Sequence, residues 1–570
     1  MKRLLLFFLV LAVLSSLLAA FIVFAARQSR SLGGPAVISW RVSGPFLDLA
    51  PPVTLPLPGA RARGSFAMVY RALTRARTDP RVRGLAVSIE DASFGLAHAQ
   101  ELRDLMTSVR NAGKFVDCYL ETAGAGSNGT LEYYLASACG HISLAPTGEM
   151  NLLGLYASTP FLRGTLDKLK IDPQFVHIGQ FKSASETFTN SEMSEPARTA
   201  LSAVLDDDYK ILTDDIASSR KLPVARVLSI IDGAPYTASQ ALALKLVDSL
   251  SYPDEFRARI ERLAGGSPRW IPLSAYSHTL RSPSEPRIAV VFAQGEIVRG
   301  SGGFDPWAGR VSIGSGGMAK ILDSLSRDDS VRAVVLRINS PGGSALASDL
   351  ILHSVAQLKK KKPVVVSMSD LAASGGYYMA CGANKIVAEP LTLTGSIGVL
   401  GGKLVTRDFQ KDLLGITHGS ITRGANADFY STLDRFTPEQ MARFQDQMKA
   451  VYDQFIAHVA AGRAMSEDAV RAVAEGRVWT GKAALARGLV DELGGLSTAI
   501  SVARKAAKIP STSKVSLAFY PRPRNIFETL FNPSRIGLFE RLLSLRADLP
   551  NRPVATLEVS PFFRDLPRPF

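Results

Sequence analysis

The sequence predicts an α/β protein made of two tandem copies of one domain, each with a largely parallel sheet and flanking helices. Three observations predict it. Short apolar strands alternate with helical stretches, which is the order of βαβ units. The order then recurs: VRGLAVSIE from Val82 returns as VRAVVLRIN from Val331, and KFVDCYL from Lys114 as KPVVVSM from Lys362. YYLASACGHISLAP from Tyr133 returns as YYMACGANKIVAEP from Tyr377, and LRGTLDKLKI from Leu162 as RDFQKDLLGI from Arg407. Finally, the spacing stays between 244 residues (Tyr133 to Tyr377) and 249 (Val82 to Val331), as expected of a fused duplication.

The elements run in order from the N-terminus. Lys2 and Arg3 precede an uncharged run of 23 residues, Leu4 to Ala26, long enough to cross a membrane as a helix. A cleavable signal has a shorter apolar region, and cleavage after Ala26 puts bulky Phe24 where a small residue is wanted. Residues 1–30 are therefore expected to be an uncleaved anchor. The leading charges favour a cytoplasmic N-terminus, against the pull of Arg27 and Arg30, with the rest outside the cytoplasm. A Pro/Gly-rich stretch, Pro51 to Gly64, separates the anchor region from the first folded unit. The first repeat is placed at 31–285, closing in the Ser/Pro-rich break from Gly265 to Pro286. The second is placed at 286–510, its last periodic helix ending near Lys508. A basic, proline-containing tail fills 511–570, with an amphipathic pattern from Asn525 to Leu543 interrupted at Pro533.

Composition sets bounds on function. With 46% hydrophobic and 21% charged residues among 570, the chain buries a sizeable core and is not a disordered protein. The net charge of +15 comes without a zinc finger or an aromatic RNA-binding signature, so a nucleic-acid partner is not expected. Twelve Lys/Arg against five Asp/Glu between Arg504 and Arg568 leave +7 of that charge in the tail. Such a tail fits anionic lipid, and it fits a solvated basic surface equally well. Cys118, Cys139 and Cys381 show no CxxC spacing, so no zinc or other metal site is expected. The odd count argues against a disulfide framework, and Cys139 and Cys381 read as small core residues. No cofactor motif is present.

Chemistry concentrates in the second repeat. In LRINSPGGSALASDL, a buried strand ends at Asn339 and a helix starts near Ser344. Gly342 and Gly343 between them let the backbone aim N–H groups at an anion, the construction of an oxyanion hole; a plain strand-to-helix turn reads the same way. One βα step later comes MSDLAASGGYYMA, with Ser374 among small residues at the mouth of a helix and the Gly375 N–H beside it. Ser374 is a candidate nucleophile or a helix N-cap. Asp370, four residues earlier, either alters the cleft mouth or faces solvent. A serine nucleophile needs a base. Of the seven histidines, His418 is the nearest downstream, and His98, His141, His177, His278, His353 and His458 read as core or surface. Lys182 in GQFKSASETF comes after a strand and sits among small residues, as a buried base or an ordinary surface charge.

Four segments together, HIGQFKSASETF, LRINSPGGSALAS, AASGGYYMA and LTGSIGVLGG, resemble the signal peptide peptidase A (protease IV) family in its long two-repeat form, over residues 40 to 510. The resemblance implies a ClpP/crotonase-like fold in each half and a Ser–Lys dyad split between the halves. Ser374 is then the nucleophile, Lys182 the base, and Ser396 in LTGSIG the group that orients the lysine. Gly375 and Gly343 supply oxyanion N–H groups, with Gly342 beside them. It also implies a bacterial inner-membrane protein with its catalytic part on the periplasmic side. Its partners would be cleaved signal peptides and short apolar peptides, with lipid reached through the N-terminal helix. A ring-like homo-oligomer is implied too, a tetramer being one such ring. The duplication fits a single composite site: Thr130 stands opposite Ser374, and Ala425 near the position of Lys182. Two rivals remain at this point: a crotonase-like acyl-CoA enzyme, which needs neither serine nor lysine, and a non-catalytic membrane scaffold.

Overall fold

A computed structural model describes residues 34–50, 64–277, 286–305 and 309–522. The expected anchor Leu4–Ala26 and the Asn525–Leu543 stretch lie outside the described residues. Among those described, no helix is long and apolar enough to cross a membrane.

Two largely parallel sheets carry the fold. Across the first, the strand order is Ser249–Leu250, His141–Leu144, Phe115–Leu120, Val82–Ser93, Ala36–Pro45 and Arg269–Pro272, every adjacent pair parallel. The second has the same order: Glu492–Leu493, Lys385–Ala388, Val364–Ala373, Val331–Ser340, Arg287–Gln294 and Ser516–Tyr520. The strands are nearly unbroken apolar runs because both faces are covered; Ile288 through Ala293 are all buried. Each half also holds a 26-residue helix, Glu195–Arg220 and Pro438–Arg463, begun alike by a Ser194 or Thr437 side-chain cap and a proline in the first turn.

Two features depart from the sequence reading. The second sheet takes its outer strand from Ser516–Tyr520, past the expected boundary at 510. That five-residue apolar run comes after a proline-led turn and is too short to stand out from the tail. Cys118 and Cys139 are paired as a disulfide, with Cα atoms 5.9 Å apart, while Cys381 is free and buried. The odd count misleads because the pairing is local: Cys118 sits on the strand Phe115–Leu120, and Cys139 just beyond the next helix, Thr130–Ala136.

The repeats are joined by more than the chain. The strand Val399–Val405 of the second repeat runs antiparallel to Asp172–Ile178 of the first, with Val399 opposite Ile178 and Val405 opposite Asp172. The first-repeat helix Leu96–Asn111 packs on the strand Val364–Ala373. These contacts bring the two halves of the site together.

Candidate active site

Ser374 stands where the strand Val364–Ala373 gives way to the helix Gly375–Ala380. It holds the N-cap position, but its hydroxyl caps nothing, and its backbone is at φ 54°. A non-glycine residue there is strained, and such strain is typical of a residue held in place for its side chain. Its N–H donates to the Gly395 carbonyl at 2.9 Å, which ties the turn to the neighbouring strand Leu393–Gly395.

Lys182 lies in the turn after the strand Asp172–Ile178, the strand that pairs with the second repeat. The Phe181 N–H donates to the Glu475 carbonyl at 2.8 Å, so the second repeat holds the lysine turn directly. Lys182 is 8% exposed. Its Nζ lies 3.0 Å from Ser374 Oγ, 2.9 Å from Ser396 Oγ and 3.0 Å from the Ser396 carbonyl oxygen. Among the described residues no carboxylate holds the ammonium, and burial pushes its pKa down to about 8. Ser396 is held in turn: its N–H donates to the Arg477 carbonyl at 2.8 Å, and its φ is 50°.

The three glycines divide their work. Gly375 heads its helix, where N–H groups have no helical acceptor. Gly343 forms a parallel bridge with Ile297 through its neighbours: Ile297 N–H donates to the Gly342 carbonyl at 2.8 Å and Ser344 N–H to the Ile297 carbonyl at 2.9 Å. That pattern turns the N–H of Gly343 itself to the opposite side. The Gly342 N–H, expected in the oxyanion hole, is engaged here by Ser340 Oγ at 3.1 Å. Gly342 matters for space instead: a Cβ there would sit 2.7 Å from the Gly375 nitrogen and 2.9 Å from Ser374 Cβ.

The described histidines are elsewhere. His418 is exposed and engages Gln410; His141 engages Ser249, and His458 pairs with Asp349. His278 lies outside the described residues. Thr130, the first-repeat counterpart of Ser374, accepts from the Gly154 N–H at 3.0 Å, so its hydroxyl serves the local fold. Asp370 does not simply face solvent: its side chain is 21% exposed, and its carboxylate accepts from the His98 N–H at 2.8 Å and the Gly95 N–H at 3.2 Å.

Comparison with known proteins places the chain among the serine peptidases. The profile of peptidase family S49 matches residues 121–266 and 356–510, once in each repeat, and the chain belongs to that family. It is 35% identical over 459 residues to "Serine protease SPPA, chloroplastic" of Arabidopsis thaliana, covering 79% of this chain and 67% of that one. It is 32% identical to "Protease 4" of Salmonella typhi, covering 77% and 72% of the two chains, and 30% identical to "Protease 4" of Haemophilus influenzae, covering 85% and 80%.

Proposed function

We propose that the chain is a membrane-anchored endopeptidase in which Ser374 is the nucleophile, Lys182 the general base and Ser396 the lysine's orienting partner. The observation that carries this is the 3.0 Å approach of a buried, carboxylate-free lysine amine to Ser374 Oγ. With a pKa of about 8, roughly a tenth of the amine is neutral at pH 7, against well under a thousandth for a free lysine. The neutral amine donates to the Ser396 carbonyl and hydroxyl, which leaves its lone pair facing Ser374.

The steps then balance. Ser374 Oγ bonds to the substrate carbonyl carbon as its proton passes to Lys182 Nζ. The oxyanion accepts from the N–H groups of Gly375 and Gly343. Collapse expels the leaving amine, which takes the proton from Lys182, and water releases the acyl group by the same path in reverse. The ClpP/crotonase plan of each half belongs to this reading, since it puts an oxyanion turn and a nucleophile turn on adjacent strands.

Its substrates are cleaved signal peptides and other short apolar peptides, reached from an anchor at Leu4–Ala26 on the outer face of a bacterial inner membrane. The length of that apolar run and the relationship to family S49 support this. The same relationship disfavours an acyl-CoA enzyme or an inert scaffold. Chains are proposed to associate head to tail in a ring.

The test is a fluorophosphonate probe with Ser374→Ala beside wild type. Label on Ser374 and a fall in kcat of at least about 10⁴-fold are expected. An Ala variant that still turns over peptide near the wild-type rate disproves the assignment.

A further inference from the structure

Below the site, a buried polar cluster ties the nucleophile's strand to the other repeat. Arg337 is 1% exposed in the middle of the strand Val331–Ser340. Its Nε donates to Asp48 Oδ1 at 3.0 Å and its Nη2 to Glu101 Oε2 at 2.6 Å, both from the first repeat. Its other N–H groups donate to Ser367 Oγ at 2.9 Å and Ser369 Oγ at 3.0 Å, on the nucleophile's own strand. The His98 ring sits between two carboxylates. Nδ1 meets Asp370, and Nε2 lies 3.3 Å from Asp48 Oδ1 and 3.2 Å from Ser369 Oγ. Burial alone would lower the His98 pKa, but Asp370 and Asp48 outweigh it and push it up to about 10. The bridge is thus an imidazolium between two carboxylates, and a buried ion pair of this kind is weak evidence of net stability.

The grip falls on an irregular stretch. Along the pair of central strands, Ile338 faces Met368, but Ser340 faces Ala372, so Asn339 stands against Ser369, Asp370 and Leu371. A bulge re-aims the chain beyond it, and Ser374 lies three residues past Leu371. The two bulge residues that carry polar side chains, Ser369 and Asp370, are the ones held by first-repeat groups. Gly95 leaves room for this, since a Cβ there would collide with the Asp370 carboxylate.

We propose that Asp370 and His98, backed by Arg337, form a clamp between the repeats that positions the bulged strand, so that Ser374 meets Lys182 only when the clamp is closed. Asp370 and His98 are positioning residues. The first repeat thereby sets the nucleophile from behind while Lys182 approaches it from the front. This rests on the reading of Ser374 as nucleophile.

The experiment measures kcat, KM, thermal midpoint and the rate of fluorophosphonate labelling per folded molecule for wild type, Asp370→Ala, Asp370→Asn and His98→Gln, with Ser374→Ala as control. For Asp370→Ala, kcat and the labelling rate are expected to fall together by about 10- to 100-fold, as a displacement near 1 Å produces, with KM within about twofold. Asp370→Asn keeps an acceptor oxygen for the Gly95 and His98 N–H groups and is expected to recover part of the loss. His98→Gln is expected to lie between wild type and Asp370→Ala. A merely structural role predicts fewer labelled molecules, each reacting at the wild-type rate, and that result overturns the clamp. If Asp370→Ala does not fold, Asp370→Asn decides: labelling at the full wild-type rate overturns the clamp, and slower labelling supports it. A wild-type enzyme that takes no label at Ser374 removes the nucleophile assignment, and the clamp with it, a failure distinct from either of these.

Discussion

A lysine works as a base only where being charged is costly, and Lys182 meets that condition by burial alone. Its rate profile should therefore rise through an apparent pKa of about 8, the value burial gives it, rather than the 10 or above of free lysine. Lys182→Arg should be inactive across that range, because a guanidinium stays protonated, while His418→Ala should be active. An active Lys182→Arg enzyme would move the base elsewhere. Stability carries the opposite sign. The folded state lowers this pKa, so below about 8 the protein bears the full cost of a buried ammonium, on the order of 3 kcal/mol. The cost fades as pH rises through 10.5, above which the lysine is neutral folded or unfolded. Lys182→Met should thus unfold at a higher temperature than wild type at pH 7, and the gap should narrow by pH 10. A variant no more stable at pH 7 would mean that the amine is solvated, which removes the reason for its low pKa.

Among the elements, the two strand–turn–helix units make the site, and both are legible in the sequence. SPGG and AASGG each place glycine where an apolar run ends, because close backbone approach there admits no side chain. Gly342 puts this to the test: at φ 103°, with Ser374 and Gly375 against it, an alanine must push Ser374 aside. Gly342→Ala is expected to lower kcat by about 10²–10³-fold, the scale of losing an oxyanion donor, and to destabilise the fold by about 1–3 kcal/mol. A Gly342→Ala enzyme with wild-type kcat would show that the two turns do not touch as described. What the sequence hides is contact at a distance. Asp48, Arg337 and the helix that carries both His98 and Glu101 come from separate segments, and no spacing rule joins those segments. One clue is present: Arg337 interrupts the apolar run VVLRIN, and a charge in a strand buried on both faces needs a partner. The disulfide leaves no such trace, because the odd cysteine count argues against a pairing and Cys139 reads as an ordinary core residue.

At the scale of the whole molecule, the duplication leaves two edges unmatched. Within the chain, Val399–Val405 pairs with Asp172–Ile178. An offset of 245 residues, that of Leu162 and Arg407, maps the first strand onto residues 154–160 and the second onto 417–423. Neither of those segments is paired as a strand, and both stand beside exposed apolar side chains: Leu153 and Tyr156 at 46% and 78%, Ile416 and Ile421 at 46% and 88%. The helix counterparts behave alike. Ala97 and Glu101 are buried between the repeats, while Leu346 and Leu350, at the matching turns of Ala345–Lys359, are 54% and 46% exposed. The proposed ring has a second copy cover, in the same relation, the surface that one repeat covers and the other leaves open, since exposed apolar patches mark interfaces. That contact joins unlike faces of the two copies, so repeating it gives a ring where the rotation closes. Purified protein is therefore expected to run as a closed oligomer in light scattering. Ile421→Lys alone, or Tyr156→Asp alone, should release monomers, because every interface uses one of each face. Both variants lie away from Ser374 and Lys182 in sequence and should keep the dyad's labelling by fluorophosphonate. Wild type that stays monomeric at every concentration tested, or variants that keep the wild-type mass, would show that these edges are covered by something other than a second chain.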